Sequence, residues 1–553
     1  MIRLPSRNIL TIWVLLSLLT PIRGQNGLNT TCWQLASAEN VTQISYPVNG
    51  YVVYYITWSW FVHTPVCLGN GPSGLRMTGD FILVLTAFAL PAVIFSTVIP
   101  RRWRLDMPQR FLTVGRSRVG NISKLFLSIP AICVVATVDM IGWITCIMTF
   151  AGPMAFSGVL EMLLDFRVVS FLERNRESPA KERLEAIVAL LCGNYDQDPD
   201  DPTARIHSSL IPFQLTKASL ESTKSRLVTI LNSQVSFGTT IGLPAVFFLG
   251  GFWYNAGQTN PRGAVSYGIF LMVLVIVTII SGTLLAGNSP HTVSVLLGNR
   301  HVKRTHGRGI LLSDVYDSEL HPVAMWDRGF SKYQWLKNTM MWQQQGAFQD
   351  AVRVDVGSWA AITAAAWLLV ATPCLLSLTL SYLVPWPWFG SSSLVLTTYL
   401  ASQTWLILVA LVVAYLDAPL CTIWRPFDLL PKAASQSLLS RSLLVISTFL
   451  TGGATFLAAF GTVFASGYHL SDGYGEELIW TVPVSSWVKP PSKRLVVVYS
   501  ETTTQTYADY LANMTQYLPL GAVILTCVIC FLGWWYHEAL RIALKDVVEN
   551  IEE

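Results

Sequence analysis

The chain has 553 residues, 52% of them apolar and 13% charged, with a net charge of +4. Soluble proteins carry about 25% charged residues, so this composition argues against a globular enzyme with a single anchor; mean hydropathy is +0.46. The weak positive charge is spread over several loops with no basic stripe, which argues against nucleic acid, and the partner to expect is the lipid bilayer.

Residues 1–24 read as a secretory signal. Arg3 and Arg7 form its basic region, Ile9–Leu19 its short apolar core and Gly24 a cleavage point. A non-cleaved anchor is the alternative, and both readings place residues 25–80 outside the cytosol. That segment holds glycosylation sequons at Asn29 and Asn40. It also holds Cys32 and Cys67, for which an oxidising compartment makes a disulfide the expectation and two free thiols the alternative.

Eight apolar segments are long enough to span a bilayer: 81–100, 125–150, 237–256, 265–286, 357–383, 391–416, 443–466 and 516–536. A ninth, 152–172, reads GPMAFSGVLEMLLDFRVVSFL and carries Glu161, Asp165 and Arg167. If it spans, the cytosolic pieces 101–124, 173–236, 287–356, 417–442 and 537–553 hold 28 Lys and Arg, and the outer pieces hold 5. If it does not, every later loop changes side and two strongly basic loops face outward, against the positive-inside tendency. Spanning also puts a third sequon, Asn513, outside with Asn29 and Asn40, while Asn121 becomes cytosolic.

The expected fold is therefore all-α: a polytopic integral membrane helix bundle of about nine spans after an N-terminal signal sequence. In chain order it comprises an outer segment 25–80, three spans over 81–172, a cytosolic loop 173–236, two spans over 237–286 and a cytosolic loop 287–356. Three spans over 357–466, an outer loop 467–515, a last span 516–536 and a cytosolic tail 537–553 complete it. This arrangement suits a plasma-membrane protein of the secretory pathway. The spacing of Leu184, Ile187, Val188 and Leu191 predicts an amphipathic helix at 180–192, and 215–236 predicts another. The aromatic stretch 310–345 is expected to dock on the bundle or the membrane surface.

The turn at Phe150–Pro153 predicts that the second and third spans form an antiparallel hairpin. On a rise of about 1.5 Å per residue, Asp139 and Glu161 then lie roughly 16 and 14 Å from the outer face and Asp165 about 6 Å deeper, all near mid-membrane. Glu161 and Asp165 are i and i+4 and share a helix face. Charge at that depth costs at least ~2.5–3.5 kcal/mol, so Asp139, Glu161, Asp165 and Arg167 are candidates for a proton- or ion-coupling site. Helix packing through buried hydrogen bonds is the competing explanation.

Other patterns carry less chemistry. The link at 194–202 (NYDQDPDDP) begins like a calcium loop, but its sixth position is Asp201 and its twelfth His207, so a solvated turn fits better. Cys527 and Cys530 lie inside a span and read as packing. Gly238 and Gly242 form a small-xxx-small pattern suited to close helix contact. No nucleotide, hydrolase or zinc motif occurs, and no metal or cofactor is called for.

Three stretches, LNSQVSFGTTIGLPAVFFLGGFWY (231–254), SGTLLAGNSPHTV (281–293) and VYDSELHPVAMWDRGFSKYQWLK (315–337), resemble polytopic membrane proteins of filamentous fungi with no assigned function. The resemblance implies a fungal source and no mechanism. The leading functional expectation is transport or binding of an unknown small or lipophilic molecule. The rivals are a membrane-embedded enzyme or accessory protein in the biosynthesis of a hydrophobic metabolite, and a structural or sensory protein.

Overall fold

The computed structural model describes residues 43–48, 51–57, 90–101, 103–105, 118–195, 211, 216–232, 237–258, 262–286, 312–314, 322–383, 391–415, 478–481, 495–501 and 505–551. The signal segment, Asn29, Asn40, Cys32, Cys67, the span at 443–466 and most of the acidic link fall outside these residues.

The helices in chain order are α1 (Leu90–Val98), α2 (Arg118–Thr149), α3 (Ala151–Arg174), α4 (Ala180–Cys192) and α5 (Lys217–Asn232). A π-turn over Gly238–Gly242 leads into α6 (Leu243–Gln258), followed by α7 (Arg262–Thr283), α8 (Arg328–Lys337), α9 (Met340–Gln344) and α10 (Gly346–Val352). The last three are α11 (Val356–Leu383), α12 (Ser391–Tyr415) and α13 (Gln505–Glu549). Helices α4 and α5 cover the two amphipathic stretches expected from the sequence.

Short strands accompany the helices, where the sequence suggested only loops. β1 (Gln43–Val48), β2 (Tyr51–Thr57), β5 (Leu478–Thr481) and β6 (Leu495–Glu501) form an antiparallel sheet in the order β1-β2-β6-β5. β3 (Trp103–Leu105) pairs with β4 (Leu312–Asp314). The runs YVVYYIT and LVVVYSE are rich in β-branched and aromatic residues, which suit a pleated surface.

Among the described residues three helices are long and apolar enough to cross a membrane, within Gly346–Leu380, Ser393–Val412 and Tyr517–Glu549. A fourth span exists if α2 and α3 are taken as one broken helix, and Gly238–Trp253 and Gly268–Thr283 are shorter apolar helices. Helix α13 displays an exposed apolar stripe. Tyr517, Leu520, Ile524, Val528, Phe531 and Trp535 are exposed at three- and four-residue steps. The stripe is bounded by Tyr517 at one end and Trp534 and Trp535 at the other, about 27 Å apart on an ideal rise, close to a hydrocarbon thickness. Past Trp535 the helix changes role: Leu540, Leu544, Val547 and Val548 are buried, and this part packs on α5.

Helix α3 is the hub, packed against α7, α8, α10, α11, α12 and α13. Pro153 sits in its first turn, where a missing N–H breaks no helical bond. Nearly every side is enclosed; Phe166 and, at the C-terminal end, Glu173 and Arg174 are exposed.

One expectation for this region is corrected. Helices α2 and α3 do not fold back as a close hairpin; they are bent by 66° at Phe150. The first turn of α3 lies beside Gln403, halfway along α12, which pairs the backbone groups freed at the break.

Candidate functional site: a buried four-charge cluster

The break between α2 and α3 is closed by two side chains of α12. Gln403 accepts from the Gly152 N–H through Oε1 at 2.8 Å and donates through Nε2 to the carbonyls of Met148 and Thr149 at 3.2 and 3.0 Å. The Tyr399 hydroxyl donates to Met148 O at 2.8 Å. A broken helix inside an apolar bundle is tolerated only when its loose backbone groups are paired in this way.

About two and a half to three and a half turns further along α3 lie the acids. Glu161 and Asp165 are fully buried, and so are Arg328 and Lys332 of α8. Arg328 Nε donates to Glu161 Oε2 at 3.0 Å, and its Nη2 reaches Glu161 Oε1 at 3.3 Å and Ala286 O at 2.7 Å. Lys332 Nζ sits 2.7 Å from both Glu161 Oε1 and Asp165 Oδ1. The backbone N–H of Leu285 donates to Asp165 Oδ2 at 3.4 Å. All four carboxylate oxygens therefore have a donor, and two negative charges meet two positive ones.

The match follows from helix geometry. Glu161 to Asp165 and Arg328 to Lys332 are both i, i+4 steps, so each pair presents one face. Both ion pairs join residues 167 apart in the chain, which makes α3 and α8 run in the same direction. Close approach is secured by small residues. Gly329 N–H donates to the Ser157 hydroxyl at 2.8 Å. Phe330 stacks on Phe156, which also stacks on Trp359.

Arg167 belongs to a neighbouring contact. It donates to Arg353 O at 2.8 Å and to the Ser358 hydroxyl at 2.6 Å, and it pairs with Asp355 at 3.6 Å. Asp139 stands apart from the cluster, paired with Arg101 at 2.7 Å. Of the four sequence candidates, the structure thus unites Glu161 and Asp165, places Arg167 beside them and separates Asp139.

Leu285 and Ala286 lie just past the end of α7, Ser358 lies near the start of α11, and Tyr536 donates to Met162 O from just past Trp535. The carboxylates are level with the ends of these helices rather than their middles. The mid-membrane depth expected from the sequence follows from an antiparallel hairpin, and α2 and α3 are bent by 66° instead.

Arg328 and Lys332 are not among the sequence candidates, because they lie in a stretch expected only to dock on the bundle or the membrane surface. Their i, i+4 spacing among Phe330, Trp335 and Leu336 was the available signal: a helix with aromatic surroundings and two like charges on one face needs two buried acids. Outside the membrane segments, Cys192 at the end of α4 lies under α8, and burial pushes its thiol up to about 12. Among the described residues no His, Cys, Asp and Glu are grouped so as to hold a metal ion. In comparisons with known proteins, the chain matches no family model, no curated protein and no solved structure.

Proposed function

We propose that the chain is a nine-segment plasma-membrane protein, made with a signal sequence, that transports or binds a small or lipophilic molecule. Its N-terminal segment lies outside and its tail in the cytosol, and the Glu161–Asp165 cluster is its coupling site. The observation that carries this reading is the helix broken at Phe150 inside an apolar bundle, followed about three and four turns later by two buried acids. Discontinuous helices and buried ionisable groups recur where membrane bundles bind and move solutes.

The strand pairings support the sidedness. β2 and β6 join two segments read as outside, 25–80 and 467–515. β3 and β4 join two read as cytosolic, and α4 packs on α8 and α5 on the end of α13 within the same compartment. Each loop keeps its side if α2 and α3 both traverse the bilayer or meet halfway and return, whereas one broken span made of the two would move every later loop to the other side.

A second reading, a structural or sensory protein, draws on the saturation of the cluster, which leaves no carboxylate oxygen without a donor. The experiment that separates them uses protein in liposomes with an entrapped pH dye. A mixture of small apolar solutes added under an imposed pH gradient should move the dye signal with wild-type protein and not with Asp165→Asn. Equal responses from both, or none from wild type, remove the coupled-transport reading.

A further inference from the structure

The segment 322–354 reaches deep into the bundle. Trp326 packs on Phe150 at the helix break, with ring centroids 4.7 Å apart, and Met325 lies against Gly158. All three charged side chains of the apolar run in α3 are spent on this segment or its exit: Glu161 on Arg328 and Lys332, Asp165 on Lys332, and Arg167 on the backbone of Arg353 and on Asp355 and Ser358. Two acids of α4 do the same. Glu182 accepts from Gln345 Nε2 at 2.6 Å, and Glu185 accepts from Met340 N–H at 2.9 Å. The segment leaves through a short non-helical joint, Arg353–Asp355, between α10 and α11.

A contact that never opened would not need these charges. Apolar residues of similar volume in place of a buried ion-pair network are often as stable or more so by about 1–4 kcal/mol. Matched charges gain an advantage when the two faces must also meet water apart, because each then carries its own solvation. The seat is also imperfect: among the described residues the Trp326 indole N–H is buried without an acceptor, a cost that permanent packing would be expected to remove.

We propose that residues 322–354 form a plug that withdraws from α3 about the joint at Arg353–Asp355, opening a polar cleft lined by Ser157, Glu161 and Asp165 to the cytosolic side. The proposal rests on the cytosolic placement of this segment and is independent of whether a solute is carried. In the closed state the plug covers Cys192: a Cβ on the adjacent Gly193 would lie 3.1 Å from Lys332 Cα. Withdrawal exposes that thiol.

The test uses full-length protein in nanodiscs with the other cysteines replaced by serine. Labelling of Cys192 by a water-soluble maleimide is followed by mass spectrometry of its peptide. Wild type should label slowly. Arg328→Gln should label roughly tenfold faster or more, since losing one partner of a buried pair strongly favours separation. Bridging Glu182→Cys to Gln345→Cys with a short bifunctional thiol reagent, in the otherwise native cluster, should stop labelling, and reducing the bridge should restore it. A neutral cluster (Glu161→Gln, Asp165→Asn, Arg328→Met, Lys332→Met) should label more slowly than wild type, because it stays closed and has no charged faces to solvate. Labelling that ignores the bridge, in protein whose labelling before bridging matches the unbridged parent, overturns the plug. A neutral cluster that labels as fast as Arg328→Gln overturns it as well. Liposomes without solute-dependent flux but with bridge-sensitive labelling would remove the transport reading and leave the plug.

Discussion

Gly329 brings its backbone N–H within 2.8 Å of the Ser157 hydroxyl, and a Cβ at position 329 would lie 2.4 Å from the Ser157 carbonyl oxygen. Backbone cannot move aside as a flexible side chain can. Gly329→Ala should therefore lift α8 off α3 and lengthen both ion pairs, at about 1–3 kcal/mol, the usual cost of overpacking. Thermal unfolding of the detergent-solubilised protein measures it. A melting temperature equal to wild type would mean that the two helices are not held this close.

The two classes of acid should separate cleanly. Asp165 is fully buried between Lys332 and Leu285, whereas Asp139 and Arg101 are both partly exposed. Lys332→Met leaves Asp165 without its cation and should cost about 3–5 kcal/mol, the range for breaking a buried pair. Asp139→Asn should cost about 1 kcal/mol or less, the range of partly solvated pairs. Folded yield and melting temperature of the two variants decide; a larger loss from Asp139→Asn would place the important charge elsewhere.

How far the sequence reveals this site depends on the range of the signal. The shared face of Glu161 and Asp165 is local, a consequence of four-residue spacing, and so are the helices at 180–192 and 217–232. The bend at Phe150 is less visible, because Gly152 and Pro153 suit a hairpin turn as well as a break. The decisive partners, Arg328, Lys332 and Gln403, are beyond local reach. They come from helices 167 to 255 residues away, and only packing brings them in. Depth alone groups Asp139 with the other acids in the sequence, and depth along one helix does not say which neighbour it meets.

Strand pairing offers a topological check. Val53 and Tyr499 are direct partners across β2 and β6, and facing residues of antiparallel strands lie close enough for a disulfide. Val53→Cys with Tyr499→Cys should cross-link spontaneously in cells, because both strands are read as facing the oxidising side. A glycosidase-sensitive shift should depend on Asn29, Asn40 or Asn513 and never on Asn121. A reduced pair, or glycan on Asn121, would invert the arrangement.

Cys192 gives a pH signature. Its thiol is pushed up to about 12 by burial, with Lys332 opposing, so the neutral form persists in the folded state where an unfolded thiol ionises near 8.5. The unfolded state loses its proton first as pH rises. This group's contribution is therefore full below about pH 8 and declines between about 8.5 and 12. Iodoacetamide at pH 9 should modify the denatured protein at once and the folded protein at a rate lower by roughly two orders of magnitude or more, following the thiolate fraction. Comparable rates would place Cys192 at the surface.

The helix break makes the sharpest demand on a single side chain. Gln403 satisfies three backbone groups, the N–H of Gly152 and the carbonyls of Met148 and Thr149, whereas Tyr399 donates one bond to a carbonyl that Gln403 also reaches. Tyr399→Phe should cost about 0.5–1.5 kcal/mol, the net worth of one hydrogen bond. Gln403→Leu should cost several times that, since each buried group left unpaired is worth about 1–3 kcal/mol. Gln403→Glu should fall between them: buried without a cation the carboxyl takes up a proton, so it still accepts from Gly152 but donates to only one of the two carbonyls. Melting temperatures in the order wild type, Tyr399→Phe, Gln403→Glu, Gln403→Leu are expected. If Gln403→Leu melted with Tyr399→Phe, the backbone at Phe150 would have to be paired within a continuous helix, and α2 and α3 would form one unbroken span.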